Sequence, residues 1–225
     1  MDFVFDGRLS DSSLVDFIWS TQSNGGGSFM SSASSNMEMV FTRQKGFVTV
    51  SLRGPETRAT LAPVPEDAAF LGIVFKLGTF MPHVPAKHLV DGGIHLPEPT
   101  NQSFYLQGSA WQLPDFNNAD VFVERLIHQG ILSYEPLIEV ALRGQQPLLS
   151  ARSIQRRFRQ VTGVTQGKLY QIRRAQYALE LLQQDVSILD TVEKAGYYDQ
   201  AHLTRSLKHF AGQTPAHVTN TIQYE

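Results

Sequence analysis

Short apolar runs broken by glycine and proline follow one another through the first 115 residues. The runs are rich in β-branched and aromatic residues, which is typical of β-strands. Four of them stand out, at 46–54, 57–64, 69–78 and 104–114. Strands at this spacing predict an all-β barrel or sandwich. The Gly/Ser-rich stretch 20–36 predicts a mobile surface loop, with a functional lid as the alternative.

The period changes to that of helices after Asn118. Apolar residues then recur at the spacing of one helix face, at Ala119, Phe122, Val123, Leu126 and Ile127. This helix is expected either to close the β-rich part or to form a dimer face. The rest of the chain has helical patterning throughout. We therefore predict a two-domain α+β chain, with a β-rich barrel or sandwich at 1–130 and an all-α domain at 131–225.

Composition narrows the classes of site. The chain has 225 residues and no cysteine, which excludes disulfides, thiolate metal sites and thiol catalysis. The first residues carry acids and no basic-then-apolar run, so we expect no secretory signal. No apolar stretch reaches the roughly 18 residues that a membrane span needs. The expectation is a cytoplasmic protein.

Charge is distributed unevenly between the two parts. Residues 1–130 hold eight Lys/Arg and 13 Asp/Glu, a net charge of −5, whereas residues 131–225 hold 11 and eight, a net charge of +3. The sum is the net charge of −2 of the whole chain. This asymmetry indicates an acidic module joined to one that meets a polyanion.

The most cationic stretch is "SARSIQRRFRQVTG" at 150–163. Ser150 is a suitable N-cap and Gly163 a suitable C-terminal residue for a helix. At about 100° per residue, the helix separates a polar face from an apolar one. The polar face carries Arg152, Gln155, Arg156 and Arg159, and the apolar face carries Ile154, Phe158 and Val161. Arg157 flanks the apolar side, where it would meet backbone phosphate or a local acid.

Most charge runs are solvated surfaces, and two observations count against that interpretation here. The polar face lacks the acidic i+4 partners that a solvated helix normally uses. It also combines arginine with glutamine, the side chains that bind guanine and adenine edges in pairs of hydrogen bonds.

The segment also recurs. Shifted by 49 residues, 153–166 overlies 202–215 without a gap, and the apolar, cationic and glycine positions coincide. The second copy shows a helix capped by Ser187, a turn at Gly196 and a further helix capped by Asp199, which is the pattern of a helix-turn-helix. Between the copies, the predicted helix 166–185 would span nearly 30 Å, close to the roughly 34 Å between successive major grooves.

These residues resemble the DNA-binding domain of AraC-type bacterial transcription factors, over about residues 137–218. The resemblance rests on four motifs: Ser-x-x-x-ϕ-Gln-Arg-x-Phe from Ser150, Arg174 with Ala178, Gly196-Tyr197-x-Asp199, and Gly212-x-Thr214-Pro215. It implies two helix-turn-helix motifs joined by a long helix, and promoter binding, as activator or repressor, that often responds to a small effector. More weakly, 71–97 is similar to the cupin-like N-terminal domain of some of these regulators.

Position by position, the resemblance implies two sets of contacts with double-stranded DNA. Base contacts fall on Arg152, Gln155 and Arg156 of the first reading helix and on Gln200, Ala201, His202 and Arg205 of the second. Phosphate contacts fall on Arg157, Arg159, Thr204 and Lys208. RNA polymerase and a second copy of the chain are further partners that the resemblance allows. Pro147 stands where Gly196 makes the second turn and the segment 137–143 is short, so an irregular first motif is expected.

Other functions find less support. Phosphate-binding glycine loops, nucleophile elbows and zinc-protease motifs do not occur in the sequence, and we expect neither an enzyme nor a cofactor. His83, His88 and His95 fit no standard ligand spacing, so no metal is expected. Phe104, Tyr105 and Trp111 would line an effector pocket or belong to the core. The alternative function is a small-molecule-binding or catalytic β-barrel protein whose helical part does not bind DNA.

Overall fold

The β-rich part of the chain is built on one antiparallel sheet. The computed structural model describes residues 3–97, 102–145 and 149–222. Its strands are β1 (Phe3–Arg8), β2 (Val15–Ser23), β3 (Gly27–Ser31), β4 (Glu38–Gln44), β5 (Phe47–Arg53), β6 (Thr60–Val64), β7 (Ala68–Phe75), β8 (Thr79–Phe80), β9 (Gly93–Leu96), β10 (Ser103–Leu106), β11 (Ser109–Gln112) and β12 (Ser133–Tyr134). Six of them form a sheet in the order β1-β2-β7-β4-β5-β9. Within the described residues β1 and β9 are its edges, so the sheet is open and is not a closed barrel.

The apolar side chains that alternate along these strands point inward and form one core. Inward side chains of the sheet pack with the helix α1 (Ala119–His128), whose predicted apolar stripe is buried there. Phe122 of α1 meets Phe41, Phe104 and Trp111 in edge-to-face pairs with ring centroids 5.9–6.0 Å apart. The stripe therefore serves packing, which was the first of its two predicted roles.

Apart from β12, the regular elements described after α1 are helices, as predicted. They are α2 (Leu137–Leu142), α3 (Ala151–Thr162), α4 (Gln166–Gln183), α5 (Ile188–Lys194), α6 (Gln200–Phe210) and α7 (Pro215–Ile222). The leading helix of the first motif, α2, has only six residues, in line with the expected irregular first motif. Pro147 lies outside the described residues. No helix in the described ranges is both long and apolar enough to cross a membrane.

The compact units of the structure differ from the predicted modules 1–130 and 131–225. Unit 1 comprises residues 1–27, 36–55 and 63–165, and unit 2 comprises 28–35, 56–62 and 166–225. Helices α2 and α3 belong to unit 1 because α3 packs against α2, β8 and the short 3-10 helix Ala86–His88. That residues 131–225 act together as one functional module stays a prediction.

The stretch 20–36 is not the mobile loop that its composition predicts. Its first residues complete β2, and the strand β3 pairs with β6. Beyond β3, Ser34 and Glu56 exchange two backbone hydrogen bonds, of 3.1 Å and 2.9 Å. We call residues 28–35 and 56–62, which belong to unit 2, the β-arm.

In unit 2, Arg174 of α4 holds the turn that precedes α6. Its guanidinium carbon lies 4.3 Å from the centre of the Tyr197 ring, and Nη1 donates a 3.4 Å hydrogen bond to the carbonyl of Gly196. The Tyr197 hydroxyl is 2.8 Å from Ser206 Oγ on α6. A planar guanidinium can stack and donate at once, which an ammonium group cannot. Arg174 thereby fixes the angle at which α6 leaves the turn.

Replacing Arg174 by lysine should therefore lower the free energy of unfolding by about 1 kcal/mol, because the stacking on Tyr197 is lost. Arg173→Lys, at an exposed neighbouring position, is the control and should change stability by less than about 0.5 kcal/mol. Denaturant titrations of both variants measure the difference. Equal stability of the two variants would contradict the role given to Arg174.

Candidate nucleic-acid interface

Helix α3 begins and ends at the residues that the sequence predicts. Ser150 Oγ accepts a hydrogen bond from the backbone N–H of Ser153 at 3.3 Å. Gly163 ends the helix in the left-handed region, at φ +77°, and its N–H donates to the carbonyl of Arg159. Phe158 and Val161 are buried, so the opposite face of the helix points outward.

The outward face of α3 is a row of uncompensated cations. Arg152, Gln155, Arg156 and Arg159 are all exposed. Together with Ser153, they line an open cleft of about 450 Å³. Within the described part of the chain, no carboxylate forms an ion pair with Arg152, Arg156 or Arg159. Three arginines and a glutamine on one concave surface favour an anionic ligand with hydrogen-bonding edges.

Arg157 differs from its neighbours because it has a partner in the protein. Its Nη1 lies 2.6 Å from Glu135 Oε2, and the Glu135 side chain is only 17% exposed. The Glu135 backbone N–H in turn donates to the carbonyl of Gly78 at 2.9 Å. Of the two partners predicted for Arg157, the structure provides the local acid. Arg157 therefore holds α3 in place, and a phosphate contact would have to compete with Glu135.

Helix α6 also has a capped N-terminus, a buried face and an exposed face, but it carries fewer cations than α3. Asp199 Oδ1 accepts a 2.6 Å hydrogen bond from the N–H of His202, which is the predicted N-cap. The inner face buries Leu203, Leu207 and Phe210, each 7% exposed or less. The exposed residues of the predicted reading set are Gln200, Ala201, Arg205 and Lys208.

Two residues of that set, His202 and Thr204, already have partners within unit 2. The half-buried His202 ring meets Tyr197 edge-on, at 5.1 Å between centroids, and its Nε2 lies 3.5 Å from Arg174 Nη2. Thr204 Oγ1 donates a 2.8 Å hydrogen bond to the carbonyl of Gln200. These contacts leave Arg205 as the exposed cation among the base contacts predicted for α6.

The residues predicted to line an effector pocket do not share one surface. Phe104 and Trp111 are 0% and 3% exposed and belong to the aromatic core. Trp111 Nε1 donates to the carbonyl of Leu106 at 3.2 Å. Tyr105, the next residue along β10, is 46% exposed. Of the two predicted roles, the structure gives Phe104 and Trp111 that of core.

The three histidines considered as metal ligands, His83, His88 and His95, are exposed and separate in their contacts. His95 Nδ1 lies 3.0 Å from Ser51 Oγ on the neighbouring strand. His83 and His88 are exposed on either side of Pro85. The ranges that the structure describes contain no group of three or more His, Asp or Glu residues arranged to hold a metal ion.

Neither the pairing of Glu135 with Arg157 nor the β-arm could be predicted from the residue pattern of the sequence. Glu135 precedes a different helix, 22 residues away, so helical periodicity does not connect it with Arg157. The arm acts through backbone groups, which carry no residue signature. Tyr198, 91% exposed directly before the cap of α6, was not singled out either.

Comparisons with known proteins agree on the helical part. A protein-family model described as a helix-turn-helix domain matches residues 148–221. No curated protein matches the chain significantly. Among solved structures, ToxT from Vibrio cholerae O395 aligns over 98% of this chain and 99% of that chain, with 8% identity and a TM-score of 0.46. Unsaturated fatty acid bound wild-type ToxT from strain SCE256 covers 96% of this chain and 94% of its own, with 8% identity and a TM-score of 0.43.

Both TM-scores lie below 0.5 and both identities are low, so these likenesses say nothing about the ligands or partners of this chain. The family match is independent of them, and it covers both glycine-ended helices and the long helix between them. Residues 148–221 match a helix-turn-helix domain, in line with the resemblance of this part of the sequence to AraC-type DNA-binding domains.

Proposed function

We propose that this protein is a sequence-specific DNA-binding regulator of transcription, in which α3 and α6 enter successive segments of the major groove. The observation that carries the proposal is the set of three exposed arginines on α3, which have no carboxylate partner among the described residues. Guanidinium groups of this kind are the usual means of meeting phosphates and guanine edges. The helix that presents them belongs to a fold whose second helices read DNA.

The two reading helices divide the work unequally. On α3, Arg152, Gln155 and Arg156 are the candidates for base contacts and Arg159 for phosphate. On α6, Gln200, Ala201 and Arg205 remain available for base edges and Lys208 for phosphate, since His202 and Thr204 have partners in the protein. We therefore expect α3 to carry most of the sequence preference.

The long helix α4 supports a two-groove arrangement through its length. Its 18 residues extend about 27 Å at roughly 1.5 Å per residue. Successive major grooves on one side of the duplex are about 34 Å apart. A stiff element of this length suits a single chain that contacts two neighbouring segments. Modulation by a small effector, contact with RNA polymerase and dimer formation stay predictions from the resemblance.

The direct test is selection of bound duplexes from random DNA by the purified full chain, followed by mobility-shift titrations of the selected site. Binding should weaken linearly on a log-log plot of affinity against salt, because phosphate contacts release counterions. A chain that enriches no sequence and shifts no duplex at low salt would overturn the proposal. It would favour the small-molecule-binding alternative.

Arg156→Ala should relax the preference at one base pair of the selected site, at a cost of about 1–3 kcal/mol for that site. Arg156 lies centrally on the exposed face of α3, where its fork can reach a guanine. Titrations against the site and its single-base variants measure the change. A base preference equal to that of the wild type would exclude Arg156 as a reader.

Arg159→Ala should instead weaken binding to all duplexes alike and lower the slope of the salt dependence by about 0.9. Arg43→Ala is the matched control, because Arg43 is an exposed arginine of strand β4, outside the helix-turn-helix domain at 148–221. The control should leave the slope unchanged. Loss of affinity for only one sequence would show that Arg159 reads a base.

A further inference from the structure

The β-arm contacts the end of α6. The N–H of Ala33 donates a 2.6 Å hydrogen bond to the carbonyl of Phe210, and the N–H of Ala59 donates a 2.8 Å hydrogen bond to the carbonyl of His209. These carbonyls belong to the last turn of a helix, whose carbonyls have no partners within the helix itself. One amide from each segment of the arm therefore satisfies one of the two final carbonyls of α6.

Side chains of unit 2 strengthen this contact. Ala33 is 2% exposed and belongs to the apolar core of unit 2, together with Leu207 and Phe210 of α6. Gln176 of α4 donates a 3.2 Å hydrogen bond from Nε2 to the carbonyl of Ala33. Ala33 is thus held on both sides, by its N–H on α6 and by its carbonyl on α4.

The arm is also braced internally. The Ser31 hydroxyl donates a 2.9 Å hydrogen bond to Glu56 Oε2, and Ser34 and Glu56 share the pair of backbone hydrogen bonds described above. These bonds tie residues 28–35 to residues 56–62. The two donor amides, of Ala33 and Ala59, are therefore presented to α6 by one small sheet.

Gly212 shows how closely the arm approaches. This residue follows α6 with φ +70°, and a Cβ atom there would lie 2.5 Å from Met30 Cγ and 3.3 Å from Ala59 Cβ. Gly196 has a similar φ, +68°, but no atom lies within 4 Å of its Cβ position. Glycine at 212 is thus required by the arm as well as by the backbone.

We propose that the β-arm positions α6 for DNA binding, and that Ala33, Ala59, Gln176 and Gly212 are positioning residues for the second reading helix. The inference rests on the proposed function. Although the β-arm belongs to residues 1–130, its amides contact the end of α6 directly. Arg205 and Lys208 reach DNA from α6, so a change in the direction of α6 displaces both.

The first measurement needs no DNA. Amide hydrogen exchange of the full chain should show slow exchange at Ala33 and Ala59, since both N–H groups are bonded to α6. Gly212→Ala should accelerate both. The Met30→Ala, Gly212→Ala double variant should slow exchange again in part, because Met30→Ala removes the Cγ and Sδ atoms that a Cβ at 212 would strike, while the strain of alanine at φ +70° remains. Fast exchange at both amides in the wild type would show that the arm is not docked, and would overturn the proposal.

The second measurement asks whether docking matters to binding, with duplex DNA selected by the wild-type chain as the probe. Gly212→Ala should weaken binding about 10-fold and Gln176→Ala about 3-fold. Their controls are Gly130→Ala and Gln171→Ala, and each should change affinity by less than about 2-fold. Gly130 follows α1 with a similar φ of +67°, and nothing lies within 4 Å of its Cβ position. Gln171 is an exposed glutamine of the same helix as Gln176. Footprints should lose the half-site whose protection Arg205→Ala also removes, and should keep the other half.

These results distinguish a role of the β-arm in positioning α6 from a purely structural role. Faster exchange in Gly212→Ala with unchanged affinity would overturn the proposal, and so would equal losses in the test and control variants. Weakening spread evenly over both half-sites would show that the arm supports general stability alone. If the wild type shows protected amides yet binds no duplex, the proposed function fails, and the arm is then a structural brace without a role in DNA binding.

Discussion

The burial of Phe158 and Val161 beneath α3 is the interaction on which the proposed DNA-binding surface depends. An amphipathic helix has one rotation about its axis that covers its apolar stripe, and that rotation turns Arg152, Arg156 and Arg159 outward. The Arg157–Glu135 ion pair, at 2.6 Å, secures the same rotation from the flank. The contacts that hold the helix thus also turn three guanidinium groups outward, where the residues that the structure describes supply them with no acid.

Helices α3 and α6 end in the same way at their C-termini. Each is followed by a glycine in the left-handed region, at Gly163 and Gly212, and each glycine lies against a segment from the first 100 residues. A Cβ at Gly163 would be 2.7 Å from the carbonyl oxygen of Ala86, within unit 1. At Gly212 the neighbours are Met30 and Ala59, within unit 2. The repeat of 49 residues visible in the sequence therefore extends to how each helix is supported.

Local features could be predicted from the sequence because they depend on neighbouring residues. The caps at Ser150, Ser187 and Asp199 are confirmed, since a cap involves a side chain and an amide three positions away. The β-rich and helical parts are likewise confirmed, since their periods differ. The first segment of the β-arm, 28–35, lies in the stretch 20–36, which was predicted as a mobile loop because the serines and glycines of that stretch are typical of linkers. The contacts of the β-arm join the backbone amides of two alanines to carbonyls 150 and 177 residues away, and backbone groups leave no mark on composition.

The shared membership of the β-arm and α6 in one unit has a consequence for how such a protein can diversify. Helix-turn-helix domains are commonly thought of as cassettes that recombine with unrelated partners. In this chain, a cassette cut at residue 131 would leave behind the amides that complete its last reading helix. A recombinant gene would retain a fully supported α6 only if its new N-terminal half supplied equivalent donors. The N-terminal and C-terminal halves would therefore have to be inherited together, although the helix-turn-helix domain is continuous in the sequence.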